Sequence, residues 1–113
     1  MVERILVPMD DSEQAERALA YALDSFPDAS VTVVHVVGTP SAMMGEAASL
    51  ALADDFEAAA EERAAAVFER ARQLTADRDR EIETVVGVGH HARNIIDRAE
   101  GYDTVVIGAH GAD

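Results

Sequence analysis

The stretch SVTVVHVV, residues Ser30–Val37, decides the fold of this chain. Six of its eight residues are β-branched valine or threonine, the residue types most common in strands. Apolar side chains occupy both alternating positions, so neither face of the strand is marked for solvent. Strands buried on both faces are typical of parallel sheets that carry helices on each side.

The segments around this strand alternate between strand and helix patterns. Short apolar runs predict strands at Arg4–Pro8, Ser30–Val37, Glu81–Val88 and Thr104–Ile107. Apolar residues at helical spacing predict helices from Glu13 to Phe26, from Glu46 to Thr75 and from Ala92 to Ala99. Asp10, Asp11 and Ser12 offer an N-cap for the first helix, and Ile95 and Ile96 are expected to face inward from the last.

The order βαβαβαβ predicts an α/β fold: a single doubly wound parallel sheet, Rossmann-like, in one domain of residues 1–113. Sheets of this type bind ligands beyond the carboxyl ends of their strands, at the point where the strand order reverses. The residues that follow each strand are therefore the candidate site: Asp10, residues 36–38, residues 89–91 and residues 108–111.

Composition narrows the class of protein. The net charge is −13, all nine basic residues are arginine, and there is no cysteine. Such an acidic surface repels nucleic acid, and the absence of cysteine excludes disulfides. No apolar run approaches the roughly 20 residues of a membrane span, and no signal peptide is visible, so a cytoplasmic protein is expected. We interpret the acidity as adaptation to high salt; the alternative is an ordinary acidic domain.

Four segments, in the right order, resemble the universal stress protein family. They are Ile5-Leu-Val-Pro-Met-Asp-Asp-Ser, Val33-Val-His-Val-Val, Val86-Gly-Val-Gly-His-His-Ala-Arg and Asp103-Thr-Val-Val-Ile-Gly-Ala-His-Gly. The resemblance covers the whole chain. It implies a Rossmann-like fold and, in one branch of the family, a site for an adenine nucleotide.

The resemblance also implies the residues of that site. Six positions are expected to contact ATP, with or without Mg²⁺: Pro8, Asp10, Val36, Ile107, Gly108 and Gly111. Asp10 would accept hydrogen bonds from the adenosine part, and the two glycines would let backbone amides approach phosphate oxygens. In the family this glycine motif is Gly-x-x-Gly, followed further along the chain by Gly and Ser or Thr. Gly108 and Gly111 match the first half, and the second half would lie beyond Asp113. Ala112 and Asp113 disfavour phosphate there.

The four histidines are interpreted as structural. His35 is expected to be a packed, hydrogen-bonded core residue, and the adjacent His90 and His91 lack the partners of a zinc site. His110, between the two glycines, is expected to stabilise a turn, since no positioned acid and nucleophile accompany it.

Three functions remain open. The first is a nucleotide-binding stress-response module that acts through homodimers or higher oligomers. The second is a dimeric scaffold of the same fold that binds no nucleotide, and the third is a slow ATP hydrolase. We also expect the family's fifth strand and last helix to be missing. Strand 4 would then be an exposed edge, covered by a lost segment or by an assembly.

Overall fold

The computed structural model describes residues 2–37 and 46–108. Its strands are β1 (Arg4–Pro8), β2 (Ser30–Val37), β3 (Ile82–Val88) and β4 (Thr104–Val105). Its helices are α1 (Glu13–Ser25), α2 (Glu46–Ala76) and α3 (His91–Ala99). The strands form one parallel sheet in the order β3-β2-β1-β4, which confirms the predicted α/β fold. The order reverses between β1 and β4, so the predicted switch point lies there.

The two faces of the sheet carry separate hydrophobic clusters. On one face, side chains such as Ile5 and Val33 pack with α1 and α2, where Leu19 and Ala71 are fully buried. The cluster on the other face is smaller. It consists of Leu6, Val34 and Val36, packed with Val85, Tyr102 and Val105. The helix α3 crosses β2 and β3. Because residues of one strand point alternately to the two faces, β1 and β2 must be apolar at nearly every position.

Both ends of α1 are fixed by side chains. At its start, Ser12 is the N-cap, and its Oγ accepts a hydrogen bond from the backbone nitrogen of Ala15 at 3.2 Å. At its end, the Arg80 guanidinium donates to the carbonyl oxygens of Leu23 at 2.7 Å and Ala29 at 2.8 Å. The carbonyl groups that end a helix lack partners within it, so a cation with several donors satisfies them well.

Asp103 joins the amino-terminal ends of β4 and β1. Its Oδ2 accepts hydrogen bonds from the backbone nitrogens of Glu3, at 2.8 Å, and Arg4, at 2.9 Å. These two bonds to the charged form lower the pKa of the Asp103 carboxyl, the bond from Glu3 contributing most. The interaction holds β1 in register with β4 at the edge opposite the candidate site.

Apart from shifts of one residue at several element ends, two details differ from the prediction. Strand β4 ends at Val105 rather than Ile107; Val106 still donates to Leu6 at 3.0 Å, but the backbone then leaves the sheet towards α1. Ile96 does not face inward but is 67 % exposed, because α3 rests on the sheet through a different side. The 47 % exposure of Val86 in β3 follows from the edge position of that strand within the described sheet.

The predicted edge position of β4 is confirmed: within the described sheet it pairs with β1 alone. Among the helices that the structure describes, none has both the length and the apolar character needed to cross a membrane.

Candidate functional site

A cleft of about 170 Å³ opens at the carboxyl ends of β1 and β2, beside the segment that follows β4. It is lined by five of the six residues that the sequence singled out: Pro8, Asp10, Val36, Ile107 and Gly108. These residues come from three separate segments, and the parallel topology brings them to one edge of the sheet. The cleft therefore lies at the switch point, where α/β proteins bind their ligands.

The sixth predicted residue, Gly111, lies outside the described residues, as does His110. The other predicted positions are not all brought to this cleft. Residue 38 also falls outside the described part, and Gly89 and His90 are not among the lining residues of the cleft.

The turn after β1 holds Asp10 at the mouth of the cleft. Its Oδ1 accepts a hydrogen bond from the backbone nitrogen of Ser12 at 2.9 Å, and Ser12 in turn caps α1. Of the three residues predicted to offer an N-cap, Ser12 is thus the cap, whereas Asp10 stabilises the turn before it. A carboxylate at the end of a strand is suited to accept hydrogen bonds from the hydroxyls of a ribose.

The walls of the cleft are apolar. Val36 is buried, whereas Ile107 is 62 % exposed and forms the open side. Met9 and Val34 also line the cleft, but their sequence pattern is that of ordinary core positions and does not mark them as site residues. Ile95 of α3 also lines the cleft, as its predicted inward direction allows. Apolar walls of this kind accommodate a flat ring, which gains from leaving water.

Gly108 has a structural reason to be glycine. An added Cβ would overlap the carbonyl group of Gln14 and would lie 2.7 Å from the backbone nitrogen of Ala15. The segment after β4 therefore touches the first turn of α1, where no side chain fits. This contact explains the residue without a ligand, while the nearby backbone remains accessible to one.

Charges beside the cleft are mostly acidic but partly paired. Glu16 in the first turn of α1 accepts a hydrogen bond from Arg70 at 2.8 Å. Arg70 and Arg63 line an adjoining depression of about 140 Å³ that shares Met9 and Asp10 with the cleft. Two arginines of α2 thus stand on the far side of Asp10, where they moderate the negative potential.

Asn94, which was not among the predicted site residues, stabilises the turn between β3 and α3. Its Nδ2 donates to the carbonyl oxygens of Val88 and His90, both at 3.0 Å. Gly89 in that turn has a φ of 115°, in the left-handed region that favours glycine. An asparagine four residues inside a short helix pattern gave no signal of this role.

The histidines do not form a metal site among the described residues, where no group of three or more potential ligands occurs. His35 is buried and hydrogen-bonded, as predicted. His90 precedes α3 without a capping hydrogen bond from its side chain, and the side chain of His91 lies outside the described part.

The chain is similar to several solved structures. It is 26 % identical to the universal stress protein UspA from Lactobacillus plantarum, with a TM-score of 0.79, covering 99 % of this chain and 80 % of that one. A universal stress protein family member from Burkholderia pseudomallei is 24 % identical, with a TM-score of 0.73 and coverage of 96 % and 83 %.

A third similar structure is a universal stress protein in complex with cAMP. It is 19 % identical, with a TM-score of 0.67, and the match covers 93 % of this chain and 75 % of that one. The comparison with curated proteins finds no match. The family model for universal stress proteins matches residues 1–113. With the fold and the sequence motifs, this match shows that the chain belongs to the universal stress protein family.

Proposed function

We propose that this chain binds an adenine nucleotide in the cleft at the switch point. The adenine ring lies against the apolar walls formed by Val36 and Ile107, and Asp10 accepts hydrogen bonds from the ribose. The phosphates lie beside the backbone near Gly108. The observation that carries this proposal is the convergence of Pro8, Asp10, Val36, Ile107 and Gly108 on one cleft.

The size of the cleft limits what it holds. Small-molecule pockets commonly measure about 300–1,000 Å³, whereas this cleft measures about 170 Å³ within the described residues. That volume suits one part of a nucleotide, and the apolar walls select the base. The phosphates then extend over the open side, towards the segment that follows Gly108.

Phosphate charge sets the preferred ligand. The chain carries a net charge of −13, so each added phosphate is repelled more strongly. A complex with cAMP occurs in a protein of the same fold, and its single charge is the smallest among common adenine nucleotides. ATP binds here as its Mg²⁺ complex, with the ion held by the phosphates, as Mg²⁺ often is.

We assign the biological role to the stress response, through a homodimer or higher oligomer in the cytoplasm. Membership in the family supports the role. Within the described sheet β4 lies at an edge, and a strand edge can pair with another chain, which supports association.

A scaffold that binds no nucleotide is the second candidate. Two observations favour it: the packing of α1 accounts for Gly108, and Asp10 already braces the turn through Ser12.

Calorimetric titration of the full chain decides between the two functions. The ligands are cAMP, ATP and Mg-ATP, in about 1 M KCl, where the screening length is about 3 Å. The test variant is Asp10→Asn, which keeps an oxygen for the Ser12 amide. Asp11→Asn is the matched control, because it removes the same charge from a neighbour that does not line the cleft.

We expect saturable binding by the wild type, weakened about ten-fold by Asp10→Asn and less than about two-fold by Asp11→Asn. Absence of saturable binding at millimolar nucleotide would overturn the nucleotide proposal and leave the scaffold as the remaining candidate. Equal losses in the two variants would show that charge alone matters, and that Asp10 makes no ligand contact.

A further inference from the structure

His35 is a buried residue of β2 that contacts Met9, one of the residues that line the cleft. Its side chain is only 4 % exposed, on the face of the sheet that packs against α1 and α2. Its Nδ1 lies 2.9 Å from the carbonyl oxygen of Met9. Its ring meets Phe68 of α2 edge to face, with the ring centres 6.4 Å apart.

The hydrogen bond to Met9 fixes the tautomer of the imidazole. A carbonyl oxygen can only accept, so Nδ1 must carry the hydrogen. In the neutral ring Nε2 is then a bare acceptor, and it has no partner among the described residues. A buried polar atom without a partner is unfavourable, so the bond at Nδ1 and the packing of the ring against Phe68 must together offset that cost.

Met9 is held at both of its backbone polar groups. Its nitrogen donates to the carbonyl oxygen of Val34 at 2.8 Å, which extends the pairing of β1 with β2 beyond Pro8. Its carbonyl oxygen accepts from His35. The next residue is Asp10, and the direction in which the chain leaves the sheet is therefore set by the orientation of the Met9–Asp10 peptide.

We propose that His35 is a positioning residue for the nucleotide cleft. By donating to the Met9 carbonyl, it fixes the Met9–Asp10 peptide and with it the carboxylate that receives the ribose. Phe68 sets the tilt of the imidazole ring, so the packing of α2 reaches the cleft through one side chain. This role rests on the proposed nucleotide function, because it concerns the geometry of the same site.

Two substitutions separate positioning from packing. His35→Asn places an amide nitrogen near the former Nδ1 but removes the ring, whereas His35→Phe keeps a ring beside Phe68 but has no donor. We expect His35→Phe to bind cAMP about ten-fold more weakly than the wild type, and His35→Asn to stay within about three-fold. A residue that serves packing alone would give the reverse order, which would overturn the proposal.

Should His35→Phe fail to fold, His35→Gln replaces it, because its amide nitrogen lies near the position of Nε2 instead of Nδ1. It is expected to lose affinity as the Phe variant does. Retention of full affinity by His35→Gln would contradict the positioning role.

A measurement without nucleotide keeps the two proposals distinguishable. In ¹⁵N spectra of the ligand-free wild type, the imidazole of His35 should be the Nδ1–H tautomer, and the Asp10 amide should shift in His35→Phe. An Nε2–H tautomer, or an unmoved Asp10 amide, would overturn the positioning role. If the wild type binds no nucleotide while both spectral results hold, the proposed function fails and the structural link from His35 to Asp10 stands.

Discussion

The backbone of Gly108 lies against the carbonyl group of Gln14, so closely that a Cβ at residue 108 would overlap it. This contact joins the segment after β4 to the first turn of α1 and closes one side of the cleft. The same glycine therefore shapes the site and limits what can be substituted there.

Replacing Gly108 by alanine should destabilise the fold. The added methyl group meets backbone atoms, which cannot move away as a flexible side chain could, and overpacking of this kind costs about 1–3 kcal/mol. Urea unfolding measures the change. Gly101→Ala is the control, because its added Cβ would have no atom nearer than 3.8 Å. Equal midpoints for the two variants would contradict the close approach.

Arg80 should be difficult to replace by lysine. Its guanidinium donates to the carbonyl oxygens of Leu23, Phe26 and Ala29, which a single ammonium group cannot span in the same way. We expect Arg80→Lys to lower the free energy of unfolding by about 1–3 kcal/mol. Arg17→Lys, whose ion pair is mostly exposed, should change it by less than about 0.5 kcal/mol. A neutral Arg80→Lys would show that these bonds add nothing.

The Asp103 carboxylate should make stability depend on pH. Hydrogen bonds from Glu3 and Arg4 lower its pKa in the folded state below the ordinary value of 3.8. Its contribution is therefore present above that ordinary value and is lost as the pH falls through the lower, folded-state pKa.

The stability difference between wild type and Asp103→Asn isolates this contribution. The pKa of Asp24 is also lowered, chiefly by its hydrogen bond with Arg78, but this effect is common to both proteins and cancels. We expect the difference to favour the wild type near neutral pH and to shrink as acid is added. A stability difference that stays constant between about pH 7 and about pH 2.5 would contradict the linkage.

Salt should stabilise the protein. With a net charge of −13, self-repulsion opposes the compact state, and about 1 M KCl reduces the screening length to about 3 Å. The midpoint of thermal unfolding should therefore rise between about 0.1 M and 1 M KCl. Sucrose raises stability without screening charge and is therefore the control for a general effect of added solute. A midpoint that does not change with KCl would contradict the interpretation of the acidic surface.

The sequence predicts β1, β2 and the start of α1 closely, because apolar runs and a cap residue depend on local chemistry. It overestimates β4, since the bend after Val106 depends on a contact with Gln14 that is distant in sequence. Ile96 was misplaced because an adjacent pair of isoleucines cannot both face the sheet from a helix. The bond between His35 and Met9 joins residues 26 positions apart, and no local pattern reports it.

The most direct test of the central claim is a titration of ¹⁵N-labelled protein with cAMP, followed through the backbone amides. If the cleft binds the nucleotide, the amides of Asp10, Val36, Ile107 and Gly108 should shift saturably, whereas those of Arg80 and Gly101 should not. Saturable shifts confined to other surfaces, or no shifts at millimolar cAMP, would contradict the claim that this cleft is a nucleotide site.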